Sequence, residues 1–296
     1  MQTKVSISSD GLQLAGVLHV PERAAGPLPA VVVSHGFGGN KDGETHVVEA
    51  DLYESLGYIV LRFDFRGCGE SGGKPGRILC EDQVADMRNV VTWLTTRPEV
   101  QPDRILLSGQ SFGAAISIFA GAVDIRVSGV VSMGGWGDGL KKSQDQHPTP
   151  EAWAQFTQTM QKGQRHREQT GESLMVKRWD IVPVPEHLRN HLPPGAVMDF
   201  TAETMQSICA FRPKDVVAQL APRPLLMLHS ANDSVTPTSQ AISVFENAGK
   251  GAELILLTEV DHFPFADGNG RLVDILKGWL ERYFPVAAQM AAKKVA

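Results

Sequence analysis

The sequence predicts an α/β fold, a mostly parallel central sheet with helices on both faces, and three observations predict it. Short, almost continuous apolar runs recur along the chain, as expected of strands buried on both faces of a parallel sheet. Helical patterns alternate with them, and that alternation is how a parallel sheet is wound. A Gly-x-Ser-x-Gly turn, Gly109-Gln110-Ser111-Phe112-Gly113, joins one such strand to one such helix.

Val5–Ser8 and Leu12–Leu18 alternate apolar with polar or small residues across an Asp10-Gly11 turn signal, which reads as a hairpin. The Pro-, Gly- and Ala-rich stretch 21–29 is a surface connection. Buried strands are expected at Ala30–Ser34, Tyr58–Phe63, Arg104–Ser108, Val127–Met133, Pro224–His229 and Glu253–Leu257. Helices are expected at Glu44–Leu56, Asp82–Thr95, Gly113–Ala122, Thr238–Ala248 and Leu272–Phe284. From Trp136 to about Arg212 the rhythm breaks: a polar start, a helix-like Glu151–Arg167, then scattered prolines. That is too long for a simple connection, so it reads as an inserted, mainly helical cap. The expected organisation is a core from 1–135 and 213–285, a cap at 136–212 and a frayed tail at 286–296.

The 296 residues are 42% hydrophobic and 21% charged, enough for one large domain with a sizeable core. The net charge of −5 gives no electrostatic reason to expect a nucleic-acid partner. No apolar run approaches a membrane span, and the first residues lack an apolar signal core. Cys68, Cys80 and Cys209 form no C-x-x-C pair, which suits free thiols in a reducing cytoplasm. A homodimer is compatible with all of this.

A serine at a sharp strand-to-helix turn projects its oxygen from a strained bend, and the helix aims unpaired N–H groups at the same spot. Such a weak nucleophile needs a base, and the base an orienting acid. His262 follows the last strand and Asp233 the strand before it, so all three residues sit at strand ends on one sheet edge. Asp215, Asp261 and Asp267 compete with Asp233, and His229 is the nearest rival to His262. Asp261 is a poor orienter because it adjoins His262 in sequence.

In this Ser, Asp, His order the chain resembles the α/β-hydrolase superfamily. The resemblance implies an α/β-hydrolase fold and a catalytic triad of Ser111, Asp233 and His262. His35-Gly36-Phe37-Gly38-Gly39 then corresponds to the oxyanion loop, with the Phe37 and Phe112 amides as the oxyanion hole and His35 as a structural member. Phe63–Ser71 looks like the loop after the fourth strand in esterase and peptidase branches. Arg223-Pro224-Leu225-Leu226 fits dienelactone-hydrolase-like and X-Pro-peptidase-like branches.

The expected function is hydrolysis of a carboxylic ester or related acyl bond in a small-molecule substrate, with no metal or organic cofactor. Acyltransferase, C–C hydrolase, peptidase and thioesterase chemistry remain open at the same site, as does a non-catalytic binding role. Trp136, which closely follows the Val127–Met133 strand, is the expected substrate-binding residue of the cap region. Gly67–Gly72 fits G-x-G-x-x-G, but no helix opens at once to receive a pyrophosphate. His187 and His191 have a chelating spacing, but Pro193 and Pro194 cut the helix short and no third ligand is evident.

Overall fold

The computed structural model describes residues 1–22, 26–266 and 270–286. Its main sheet has eight strands: β1 (Gln2–Ser9), β2 (Leu12–His19), β3 (Leu28–Ser34), β4 (Ile59–Phe63), β5 (Val100–Gln110), β6 (Val127–Met133), β9 (Leu225–Ser230) and β10 (Ala252–Leu257). Their spatial order is β1-β2-β4-β3-β5-β6-β9-β10. β1 and β2 form the expected hairpin, β2 meets β4 antiparallel, and every later pairing is parallel.

Alternation along the central strands feeds two cores. Ala30 and Val32 of β3 face one, and Val31 and Val33 the other. The first core is closed by α2 (Cys80–Thr95), α3 (Phe112–Val123) and α8 (Thr238–Asn247). The second lies under α1 (Glu44–Ser55) and α9 (Gly270–Tyr283). Both faces are therefore covered, which explains why these strands read as continuous apolar runs. Val286, expected to begin a frayed tail, is instead tied down with Pro285 before it. The Pro285 carbonyl accepts from Arg104 at 2.6 Å and Val286 packs into the second core. Residues 287–296 lie outside the described residues.

Residues 134–224 separate the neighbouring strands β6 and β9. They carry α4 (Gly139–Gln146), α5 (Pro150–Thr170), α6 (Arg178–Ile181) and α7 (Ala202–Ala210), with a short 3-10 helix at Glu186–His191. Thr149 caps α5 by accepting from the Ala152 amide, Pro150 starts it, and Gly171 ends it at φ 76°. The segment also holds β7 (Met175–Lys177) and β8 (Asp199–Thr201), a small antiparallel pair apart from the main sheet. Three residues each are too few to leave a period in the sequence. Among the described residues no helix is long and apolar enough to cross a membrane.

Candidate active site

Ser111 occupies the bend between β5 and α3 with φ 54° and ψ −113°, backbone values a non-glycine residue adopts only under constraint. The flanking glycines permit the bend. A Cβ on Gly109 would lie 2.4 Å from the Gly113 carbonyl oxygen, and one on Gly113 would lie 2.6 Å from the carbonyl oxygens of Ser34 and His35. The Ser111 amide donates to the Met133 carbonyl at 2.8 Å.

Behind the bend sits a buried carboxyl. Glu49 of α1 accepts from Ser108 Oγ at 2.5 Å and from Gln110 Nε2 at 2.7 Å. Burial pushes Glu49 up to about 7, even though the two hydrogen bonds pull the other way.

Two loops meet at Ser111. Its Oγ lies 2.8 Å from His262 Nε2, in the loop after β10. His262 Nδ1 lies 3.0 and 2.9 Å from the two carboxylate oxygens of Asp233, in the loop after β9. Because a carboxylate can only accept, Nδ1 carries the proton and Nε2 is left to accept from the serine hydroxyl. Asp233 is itself held by the amides of Val235 and Thr236 at 2.8 and 2.6 Å. Burial pushes its carboxyl up, but His262, His229 and the Thr236 amide outweigh that and hold it below the usual carboxylate range.

The competing residues fall elsewhere. Asp261 accepts from the Ser234 amide and hydroxyl at 2.8 and 2.7 Å, fastening one loop to the other. Asp215 pairs with Arg212. Asp267 lies outside the described residues. His229 is buried within β9 and donates to the Thr236 carbonyl at 2.9 Å. His35 accepts the Phe65 amide on Nε2 at 3.1 Å and donates from Nδ1 to Gly36 at 2.8 Å, bracing the loop that carries Phe37. Among the described residues the Phe37 and Phe112 amides have no acceptor.

A narrow cleft opens over Ser111. One wall comes from the core, with Gly36, Phe37, Gln110, Ser111 and His262. The other comes from the segment between β6 and β9, with Arg178, Val182, Val184 and His191. That segment is bonded to the Phe37 loop. Arg178 donates to the Phe37 carbonyl, the Val197 amide donates to Gly38 at 2.8 Å, and Asn40 donates to Pro194 at 2.9 Å. The Phe37 and Phe200 rings stack at 4.3 Å.

Trp136 is a correction. It is only 1% exposed and does not line the cleft; its ring packs against Phe112 and Phe211, behind the site. Following β6 placed it near the site but could not say which way an indole turns. The wall is supplied by Arg178, Val182 and Val184, which no sequence pattern singled out.

The two decoys resolve physically. Gly67–Gly72 wraps an internal carboxylate: Asp64 accepts from the Lys41 and Glu70 amides, and a Cβ on Gly69 would lie 2.2 Å from Asp64 Oδ2. His191 lines the cleft, whereas exposed His187 lies 3.7 Å from Asp261. Among the described residues the one cluster with metal-ligand geometry is His19, Asp51 and Glu54. There Arg62 Nε donates to His19 Nε2 at 3.1 Å, which puts the ring proton on Nδ1, 2.9 Å from Glu54. The nitrogen facing the acids is thus a donor, and the cluster does not suit a metal.

A family model described as X-Pro dipeptidyl-peptidase (S15 family) matches residues 10–264. Thiohydrolase aneE of Aspergillus aculeatus is 28% identical over 262 residues, 81% of this chain and 79% of that protein. The α/β hydrolase GrgF of Penicillium sp. sh18 superposes with a TM-score of 0.80 at 23% identity, covering 96% of this chain and 99% of that one. A hypothetical protein, PA2218 of Pseudomonas aeruginosa, superposes with a TM-score of 0.83 at 22% identity, covering 96% and 94%.

Proposed function

The chain belongs to the X-Pro dipeptidyl-peptidase (S15) family, within the α/β-hydrolase superfamily of serine hydrolases, and from that premise we propose that it hydrolyses a carboxylic ester through an acyl-enzyme on Ser111. The observation that carries this reading is the 2.8 Å approach of Ser111 Oγ to His262 Nε2, with Asp233 on the far nitrogen. His262 takes the hydroxyl proton as Ser111 attacks the carbonyl. Asp233 keeps the imidazole in the required tautomer and stabilises the imidazolium. The carbonyl oxygen becomes negative and is held by the Phe37 and Phe112 amides, each such donor being worth roughly 3–4 kcal/mol. His262 then protonates the leaving alcohol, and water, deprotonated by His262, releases the acid.

Hydrolysis of an acyl bond follows from the family; the choice of ester rests on the cleft. A substrate that loses an N-terminal dipeptide carries an ammonium close to the scissile bond, and such a cation needs a carboxylate. Among the described residues no Asp or Glu lines the cleft, and Arg178 does. A thioester is a second reading, favoured by the likeness to the thiohydrolase; it changes only the leaving group.

The test is Ser111→Ala with p-nitrophenyl acetate as substrate. Turnover is expected to vanish while circular dichroism stays unchanged, and undiminished turnover would remove the proposal.

A further inference from the structure

We infer that the cleft over Ser111 takes esters bearing a negatively charged group, such as a carboxylate, close to the scissile carbonyl, with Arg178 as the cation that meets it. The inference rests on the ester-hydrolase reading and names its substrate class.

Arg178 is only 3% exposed. A guanidinium removed from water needs a counter-charge, or it remains a desolvated charge at considerable cost. Among the described residues no carboxylate pairs with it. Its surroundings are the rings of Phe37, Trp179 and Phe200, 5.4 to 5.8 Å from Cζ, and two backbone carbonyls. Nη1 donates to Val197 at 2.7 Å and Nη2 donates to Phe37. A guanidinium has five N–H donors. These bonds use two, and Nε has no partner among the described residues. Burial pulls the group down to about 10, so it is still charged at neutral pH.

Among the described residues no acid on the cleft wall offsets that charge. Thr45 and His46 bring the first turn of α1 to its wall, and Ser111 stands at the start of α3. Neither helix start carries a side-chain cap. Both helix starts lie at the cleft wall, and the positive end of a helix dipole favours an anion nearby. The titratable side chains on its wall are His46, Arg178, His191 and His262, and none is an acid. The bound anion would supply the charge that Arg178 lacks.

The experiment compares monoethyl succinate with its neutral isostere, ethyl 4-methylpentanoate, by pH-stat on wild type, Arg178→Met and Arg178→Lys. Active sites are counted with a fluorophosphonate. Wild type is expected to favour the anionic ester in kcat/KM by at least about tenfold, the usual scale of one desolvated charged hydrogen bond. Arg178→Met should abolish that preference and Arg178→Lys retain part of it. A wild-type preference at or below one overturns the inference, as does an unchanged preference in Arg178→Met. If Arg178→Met does not fold, the wild-type ratio decides, together with inhibition by succinate against succinamide. Absence of both fluorophosphonate labelling and any turnover would instead defeat the ester-hydrolase reading itself.

Discussion

The two walls of the cleft are built on different rules. The core wall stands on loops at the ends of buried parallel strands, each fixed by backbone packing. Gly113 cannot accept a methyl group without striking two carbonyl oxygens, and the Asp233 loop is set by the Val235 and Thr236 amides. The opposite wall comes from residues 178–193, where a one-turn helix, a 3-10 turn and prolines follow each other without a long element. What differs is the kind of tolerance. On the proposed mechanism the first wall sets where atoms must be for chemistry, and the second sets what fits against them. On the proposed mechanism, a change on the core side should therefore act on rate or folding, and one on the other side on selectivity.

The sharpest way to break that division is His262→Ala, expected to lower kcat with p-nitrophenyl acetate by about 10⁴-fold or more with little change in KM. A loss confined to KM would contradict it. Next in size is Gly113→Ala. Alanine is normally the better helix residue, but here its Cβ meets the Ser34 and His35 carbonyl oxygens at 2.6 Å. The expected loss of stability in urea unfolding is about 2–3 kcal/mol; unchanged or increased stability would show that the bend is not sterically fixed.

Glu49→Gln probes the same wall through pH. The folded carboxyl titrates near 7 and the unfolded one near 4.5. Between those values the fold keeps a proton that the unfolded chain has lost, so stability falls as pH rises through that window and then levels off. The contribution is at most about 3 kcal/mol. The glutamine variant should flatten the slope in unfolding curves taken from pH 4.5 to 7.5, and an unaltered slope would assign it to other groups. The smallest effect is expected from Val184→Ala on the opposite wall. It should shift the preference among acyl chain lengths by roughly 1 kcal/mol in kcat/KM while leaving acetate turnover near wild type. A uniform fall in kcat for every ester would erase the distinction between the walls.

That division also explains what could be read from the sequence. The sheet and its five flanking helices were legible because strands covered on both faces must be apolar throughout, and because α1, α2, α3, α8 and α9 are long enough to show a period. The meeting of Ser111, Asp233 and His262 was legible because each follows a strand, and the parallel strands share an edge. On the proposed mechanism Phe37 and Phe112 act through their backbone amides, so only the resemblance pointed to them. Trp136 was misplaced because proximity along the chain does not fix side-chain direction. Arg178 was missed because Lys177-Arg178-Trp179-Asp180 looks like any surface segment. Its burial follows from packing against Phe37 and Phe200, far away in sequence.

The bonds from Arg178 to Phe37 and from Val197 to Gly38 carry a consequence for admission of the substrate. The door is hung from the frame it closes. On the proposed mechanism, swinging it outward would pull on the peptides that directly follow the one whose amide is to receive the developing charge, so a gaping molecule would be an idle one. On that reading substrate would pass along the seam between the two walls, and loosening the hinge to speed entry would blunt the turnover that follows.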